Sequence, residues 1–217
     1  MELDTLRDLY IDELKDLYSA ENQILKALPR MIKAASNPEL KQAFETHLRQ
    51  TEGQVQRLDQ IFQELGASPR GKKCVGMEGL IEEAKELLSE KPDPDVLDAG
   101  LISKAQHVEH YEMAGYGTVR TYARLLGEER QAQLLQQTLD EEGETDKLLT
   151  QLAEQGINIE AAGEEAETAG AGARGEREVS RATAKETGSR GGAGTKTTGT
   201  RTTGTRSTGA ESETRAR

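Results

Sequence analysis

Apolar residues recur at alternating steps of four and three along almost all of the first 160 residues, the spacing of amphipathic helices that share a core. Leu6, Tyr10, Leu14, Leu17, Ile24, Leu28 and Met31 predict a first helix over about residues 3–35. "SNPE" (36–39) ends it and opens a second, with Pro38 suited to a first helical turn. Leu40, Phe44, Leu58, Ile61 and Leu65 mark that second helix, and Gly66 is its expected C-cap. Ile102, Ala105, Tyr116, Val119, Ala123 and Leu126 mark a third, over about residues 96–126. After a tight break at "GEE" (127–129), Leu135, Leu139, Leu149 and Leu152 mark a fourth, over about residues 130–155, stopping at Gly156.

Each of these helices spans roughly 40 Å at 1.5 Å per residue. Short turns join the first to the second and the third to the fourth, so each pair is expected to form an antiparallel hairpin. The middle connection, about residues 66–95, is long and carries its own amphipathic piece, "MEGLIEEAKELL" (77–88). Such a connection can travel the full height of a bundle. The predicted fold is therefore all-α: a ferritin-like four-helix bundle of two hairpins, with a crossover that carries a short fifth helix.

The seams are interrupted, and only near their middles. From Ile102 and Ala105 the step lands on Glu109 and Glu112 before reaching Tyr116. His107 and His110 fall off the stripe. The first seam passes through Glu21, the second through His47, Thr51 and Gln54, and the fourth through Glu142 and then Thr145 or Asp146. Helix midpoints lie at one level in an antiparallel bundle, so these residues are expected to converge on one layer. An uncompensated buried carboxylate costs several kcal/mol. A cation cluster offsets that cost. Five carboxylates, one imidazole and one amide suit a pair of oxygen-liganded ions such as iron or manganese. The expected metal site is therefore Glu21, His47, Gln54, Glu109, Glu112, Glu142 and Asp146, with Gln54 a weak ligand or a hydrogen-bonding support. The alternative is a metal-free network of partly protonated acids. Tyr116 is expected to pack.

The rest of the sequence frames this core. Large apolar residues almost vanish after residue 160, leaving only Val179, and "GTKTTGTRTTGTRSTG" (194–209) is repetitive. Residues 161–217 are expected to be a disordered tail beside a folded domain of residues 1–160. The tail holds ten basic and eight acidic residues; the remainder holds 18 and 31, a net of −13. That charge argues against nucleic acid as a partner of the folded domain. The tail can serve as a solubilising segment or meet a polyanion or protein partner. One cysteine, Cys74, excludes an internal disulfide; its neighbours Lys72 and Lys73 are placed to lower its pKa, but the expected role is that of a plain loop thiol rather than a redox group. An acidic N-terminus and the lack of a long apolar run predict a cytoplasmic protein without a membrane span.

"LYSAENQILKALP", "HLRQTEGQVQRLDQIF", "KCVGMEGLIEEA", "QHVEHYEMAGYGTV" and "TLDEEGETDKLLTQLA" together resemble the YciE/YciF family of ferritin-like bacterial proteins, over about residues 3–156. The resemblance implies the bundle with its extra crossover helix, a homodimer, a dinuclear metal site and a link to bacterial stress. It carries the family's acids onto Glu21, Glu109, Glu112, Glu142 and Asp146, and its second-helix pattern onto His47, Thr51 and Gln54. Gln50 stands where the family often has Glu, and the chain has no Glu-x-x-His pair, which counts against ferroxidase activity. The expected function is a metal-binding stress protein whose centre meets oxygen or peroxide. The competing expectation is a non-enzymatic helical dimer acting as an interaction module.

Overall fold

The computed structural model describes residues 3–163. The tail expected over residues 161–217 starts later than its predicted boundary, since Ala161 and Ala162 close the last helix; residues 164–217 lie outside the described residues.

Helix α1 (Leu6–Ala34) starts at a reciprocal cap, in which the Asp8 amide donates to Thr5 Oγ1 and the Thr5 amide to the Asp8 carboxylate. Helix α2 (Pro38–Leu65) follows Asn37, whose side chain accepts from the amides of Glu39 and Leu40. It ends at Gly66 in the left-handed region, φ 62°. Helix α3 (Val75–Glu90) lies in the crossover, α4 (Pro94–Leu125) follows Asp93, and α5 (Glu129–Leu152) follows the turn at Gly127. The last helix does not stop at Gly156. It passes through one π-helical stretch, Ala153–Ile157, into α6 (Asn158–Ala162). Ala153 and Ile157 are buried there, so packing overrides the glycine as a stop signal.

Among the described residues, the buried apolar side chains form two clusters. One joins Ile24, Leu28, Leu40, Phe44, Ile102 and Leu149. The other joins Leu14, Leu17, Leu58, Val119, Ala132 and Leu135. Each cluster therefore takes one end of all four long helices. The first holds the N-terminal halves of α2 and α4 and the C-terminal halves of α1 and α5. So α2 and α4 run parallel, each antiparallel to α1 and α5, and the connection between them must span the bundle's height. That is the ferritin-like arrangement expected. Helix α1 packs on α2 and α4, and α5 packs on the same two.

Asp98 fixes the α1–α2 turn. It is buried, and its carboxylate accepts from the amides of Ser36 and Asn37 at 2.9 and 2.6 Å and from the Ser36 hydroxyl at 2.6 Å. No described helix is long and apolar enough to cross a membrane.

Candidate metal centre

Between the two apolar clusters lies one polar layer. Glu21, Thr51, Gln54, Glu112 and Glu142 are fully buried, and His47 and Glu109 nearly so. On α5 the seam runs Leu135, Thr138, Glu142, Thr145 and Leu149, so Thr138 takes the buried position and Leu139 is only half-buried. Thr145, not Asp146, continues that stripe. Thr51 and Thr145 spend their hydroxyls on carbonyls of their own helices, those of His47 and Glu141.

Four side chains come closest together. Ligand-capable atoms of His47, Glu109, Glu112 and Glu142 all lie within 4.8 Å of one another. Nε2 of His47 is 3.3 Å from Glu109, and its Nδ1 is 3.9 Å from Glu142. Neither is a hydrogen bond, and both ring nitrogens lack a partner. Nor is either an ion pair, because burial pulls His47 down to about 4 and leaves the ring neutral. A neutral imidazole is the form that ligates a metal.

The carboxylates are pushed the other way. Burial, reinforced by neighbouring carboxylates, raises Glu109 and Glu112 well above the usual range. Burial also raises Glu21, with Glu142 adding to it and the Tyr116 hydroxyl opposing it. Glu142 is raised to about 7 by burial. Four acids in a dry layer thus resist ionisation by themselves, and a cation would reverse that resistance.

Glu21 stands beside the closest group. The Tyr116 hydroxyl donates to Glu21 Oε1, leaving Oε2 without a partner. Tyr116 is thus more than packing. Gln54 donates to Glu142 and, at 3.3 Å, to Glu141. Its own Oε1 is unpartnered. Asp146 is not brought into the group. It is part-exposed at 21 %, and its carboxylate accepts from Gln106 at 3.0 Å and lies 3.2 Å from the exposed His110.

Residues that the seam argument missed support the layer from outside. Arg57 donates to Thr138 Oγ1 at 2.5 Å and to both oxygens of Glu141 at 2.5 and 2.8 Å, tying α2 to α5 beside Glu142. The available signal was its place three residues after Gln54, one turn along the same flank. Asp98 was missed too, although the step back from Ile102 lands on it.

Cys74 does not behave as its lysine neighbours suggest. Lys72 reaches Asp12 at 2.6 Å, and Lys73 pairs with Glu78. The thiol is buried against the Tyr111 hydroxyl at 3.0 Å, and burial raises its pKa. It caps α3 and is not an activated nucleophile.

Among the described residues, eight of the nine buried side-chain atoms without a hydrogen-bond partner belong to this layer: on Glu21, His47, Gln54, Glu109, Glu112 and Glu142. Buried polar atoms in folded proteins are normally satisfied. Their concentration here, as carboxylate, imidazole and amide donors, fits a metal ion.

Comparison with known proteins agrees with this fold. The model of "Domain of unknown function (DUF892)" matches residues 5–162. Protein YciF of Escherichia coli K12 is 47% identical over 162 residues, 74% of this chain and 98% of that protein. The crystal structure of E. coli YciF, described as a stress protein, superimposes with a TM-score of 0.69, covering 72% of this chain and 99% of that one. YcfI of Rhodopseudomonas palustris, described as a candidate structural protein, is 44% identical, with a TM-score of 0.67 over 69% and 95% of the two chains. A Xanthomonas campestris protein at 22% identity shares the fold, with a TM-score of 0.58 over 76% and 99% of the two chains. With a family match across the whole bundle and nearly half of the positions shared with YciF along almost its full length, the chain belongs to the YciF family of ferritin-like proteins.

Proposed function

We propose that this protein is a bacterial stress protein that binds a dinuclear iron or manganese centre in its polar layer and meets oxygen or peroxide there. The observation that carries this is the crowding of unpartnered buried donors into one layer between two apolar clusters. His47, Glu109, Glu112 and Glu142 are the ligands of this reading. Glu21 extends the donor set beyond what one ion uses, which favours two ions. The oxygen-rich set favours iron or manganese over zinc. Bound iron or manganese would supply redox chemistry toward oxygen species.

The chain's own residues have distinct tasks. Tyr116 orients Glu21, Gln54 orients Glu142, and Arg57 holds Glu141 away from the layer. The two apolar clusters keep bulk water out. Asp146, hydrogen-bonded to Gln106, is assigned a supporting role from the flank. The link to stress comes from the E. coli relative. The protein acts as a cytoplasmic homodimer on this reading, as the family resemblance implies.

The test is metal analysis of protein purified without chelator, followed by anaerobic loading with Fe(II) or Mn(II). The reading predicts close to two ions per chain. Uptake well below one ion per chain would overturn it. The description of the R. palustris relative favours a second reading, a non-enzymatic structural module. Under that reading Glu109→Ala leaves any stress phenotype intact.

A further inference from the structure

A small apolar chamber abuts the polar layer. It lies between α1, α2, α3 and α4, is partly enclosed, and has a free volume of about 40 Å³. Ile24, Leu28, Phe44, Leu80, Ile81 and Val108 form much of its wall. Two of its lining residues, His47 and Glu109, also belong to the closest group of the polar layer. The chamber therefore lies between the bundle's flank and two members of that group.

Its size and lining restrict the guest. An engineered apolar cavity that takes benzene measures roughly 150 Å³, and one water needs about 10–15 Å³. Room of about 40 Å³ suits a di- or triatomic guest. An apolar cavity of this kind stays dry. Hydrogen peroxide would surrender hydrogen bonds to water on entry, since beyond the charged side chains of Arg30, Lys85 and Lys104 the lining is apolar as far as His47 and Glu109.

Helix α3 is the outer wall, and it is anchored at both ends. At its start the Cys74 amide donates to Ser19 Oγ, and Gln23 donates to the Cys74 carbonyl, each at 2.9 Å. Near its end Leu87 sits against Gly100 of α4, where a Cβ would come within 2.8 Å of the leucine methyl. The crossover helix thus keeps the chamber roofed.

We propose that this chamber is the holding site and entry route for dioxygen, and that it selects dioxygen over peroxide as the reactant presented to His47 and Glu109. The inference rests on the metal-centre reading but names its substrate. It is tested on metal-free full-length protein, by the paramagnetic relaxation that dissolved oxygen imposes on methyl resonances. Ile24 and Leu28 in the chamber and Leu58 and Ile61 in the other cluster are all at least 96 % buried. Relaxation several-fold stronger at Ile24 and Leu28 than at Leu58 and Ile61 is expected. Ala84→Leu, which fills the chamber from α3, should abolish the contrast while leaving calorimetric Mn(II) affinity unchanged. Equal relaxation at both sets in the unsubstituted protein overturns the chamber, whatever the metal result. Absence of Mn(II) uptake overturns the metal reading and leaves the oxygen contrast standing, so the two failures are told apart.

Discussion

Tyr116 on α4 donates its phenolic hydrogen to Glu21 on α1, and neither side chain has any exposed surface. The bond joins the two hairpins at the level of the polar layer. The other Glu21 oxygen, Oε2, has no hydrogen-bond partner. Tyr116→Phe removes the donor and leaves a second unsatisfied carboxylate oxygen. The metal-free variant should lose about 1–3 kcal/mol in urea denaturation. Metal affinity should fall by roughly 10–100-fold, the usual effect of deleting a group that orients a ligand. An unchanged urea midpoint would show that the bond is not formed.

Glu112→Gln should move stability and metal binding in opposite directions. Both Glu112 oxygens are buried and unpartnered, so without an ion the residue is a liability to the fold. Removing the ionisable group should raise the melting temperature of chelator-treated protein at neutral pH, by about 2–4 °C for each kcal/mol gained. The same variant should bind Mn(II) more weakly in calorimetry. A lower melting temperature without metal would contradict the account of the layer.

The metal-free protein should lose stability as pH rises above neutrality. The buried glutamates have folded pKa values raised above 4.5, so the folded state holds more protons than the unfolded chain. Their contribution is complete below 4.5 and is lost as pH climbs through the folded values, which for Glu142 is about 7. His47 acts oppositely: its folded value of about 4 lies below 6.5, so it weakens folding only as pH falls below 6.5. Between pH 6.5 and about pH 7.5, below the range in which the Cys74 thiol of the unfolded chain ionises, the buried glutamates dominate the slope. Melting temperatures across that window should fall with chelator present and fall less with saturating Mn(II). A flat chelator curve would mean that the layer is already solvated.

Asp98→Ala should damage the fold without touching the site. It strips the Ser36 and Asn37 amides of their acceptor at the α1–α2 turn. A loss of about 2–4 kcal/mol in urea is expected, with metal stoichiometry unchanged at low temperature. Lost metal stoichiometry in still-folded protein would tie the turn to the centre.

The sequence carried the bundle and most of the polar layer because both follow from one regularity. Alternating steps of four and three place Glu21, His47, Gln54, Glu109, Glu112 and Glu142 on the same stripes as the apolar core, and the structure buries all six. The regularity has two answers wherever a step of three or four is equally open. At Thr145 and Asp146 the sequence left both standing, and Leu139 was placed where Thr138 is buried. Packing across helices decides such cases. Arg57 shows a second limit, since its role depends on Glu141 and Thr138, 84 and 81 residues away. Gly156 shows a third: a strong local stop gives way when Ile157 beyond it has a pocket to fill.

Glu109, Glu112 and Glu142 stand on the α4–α5 hairpin, whereas His47 stands on the α1–α2 hairpin. Each hairpin can zip up from its own short turn, but the crossover loop must close before one meets the other. An ion held by all four side chains would therefore act as a clasp between the two halves of the chain. Its main effect on lifetime would fall on the step in which the hairpins part, so the loaded protein would unfold more slowly while its hairpins form at an unaltered rate.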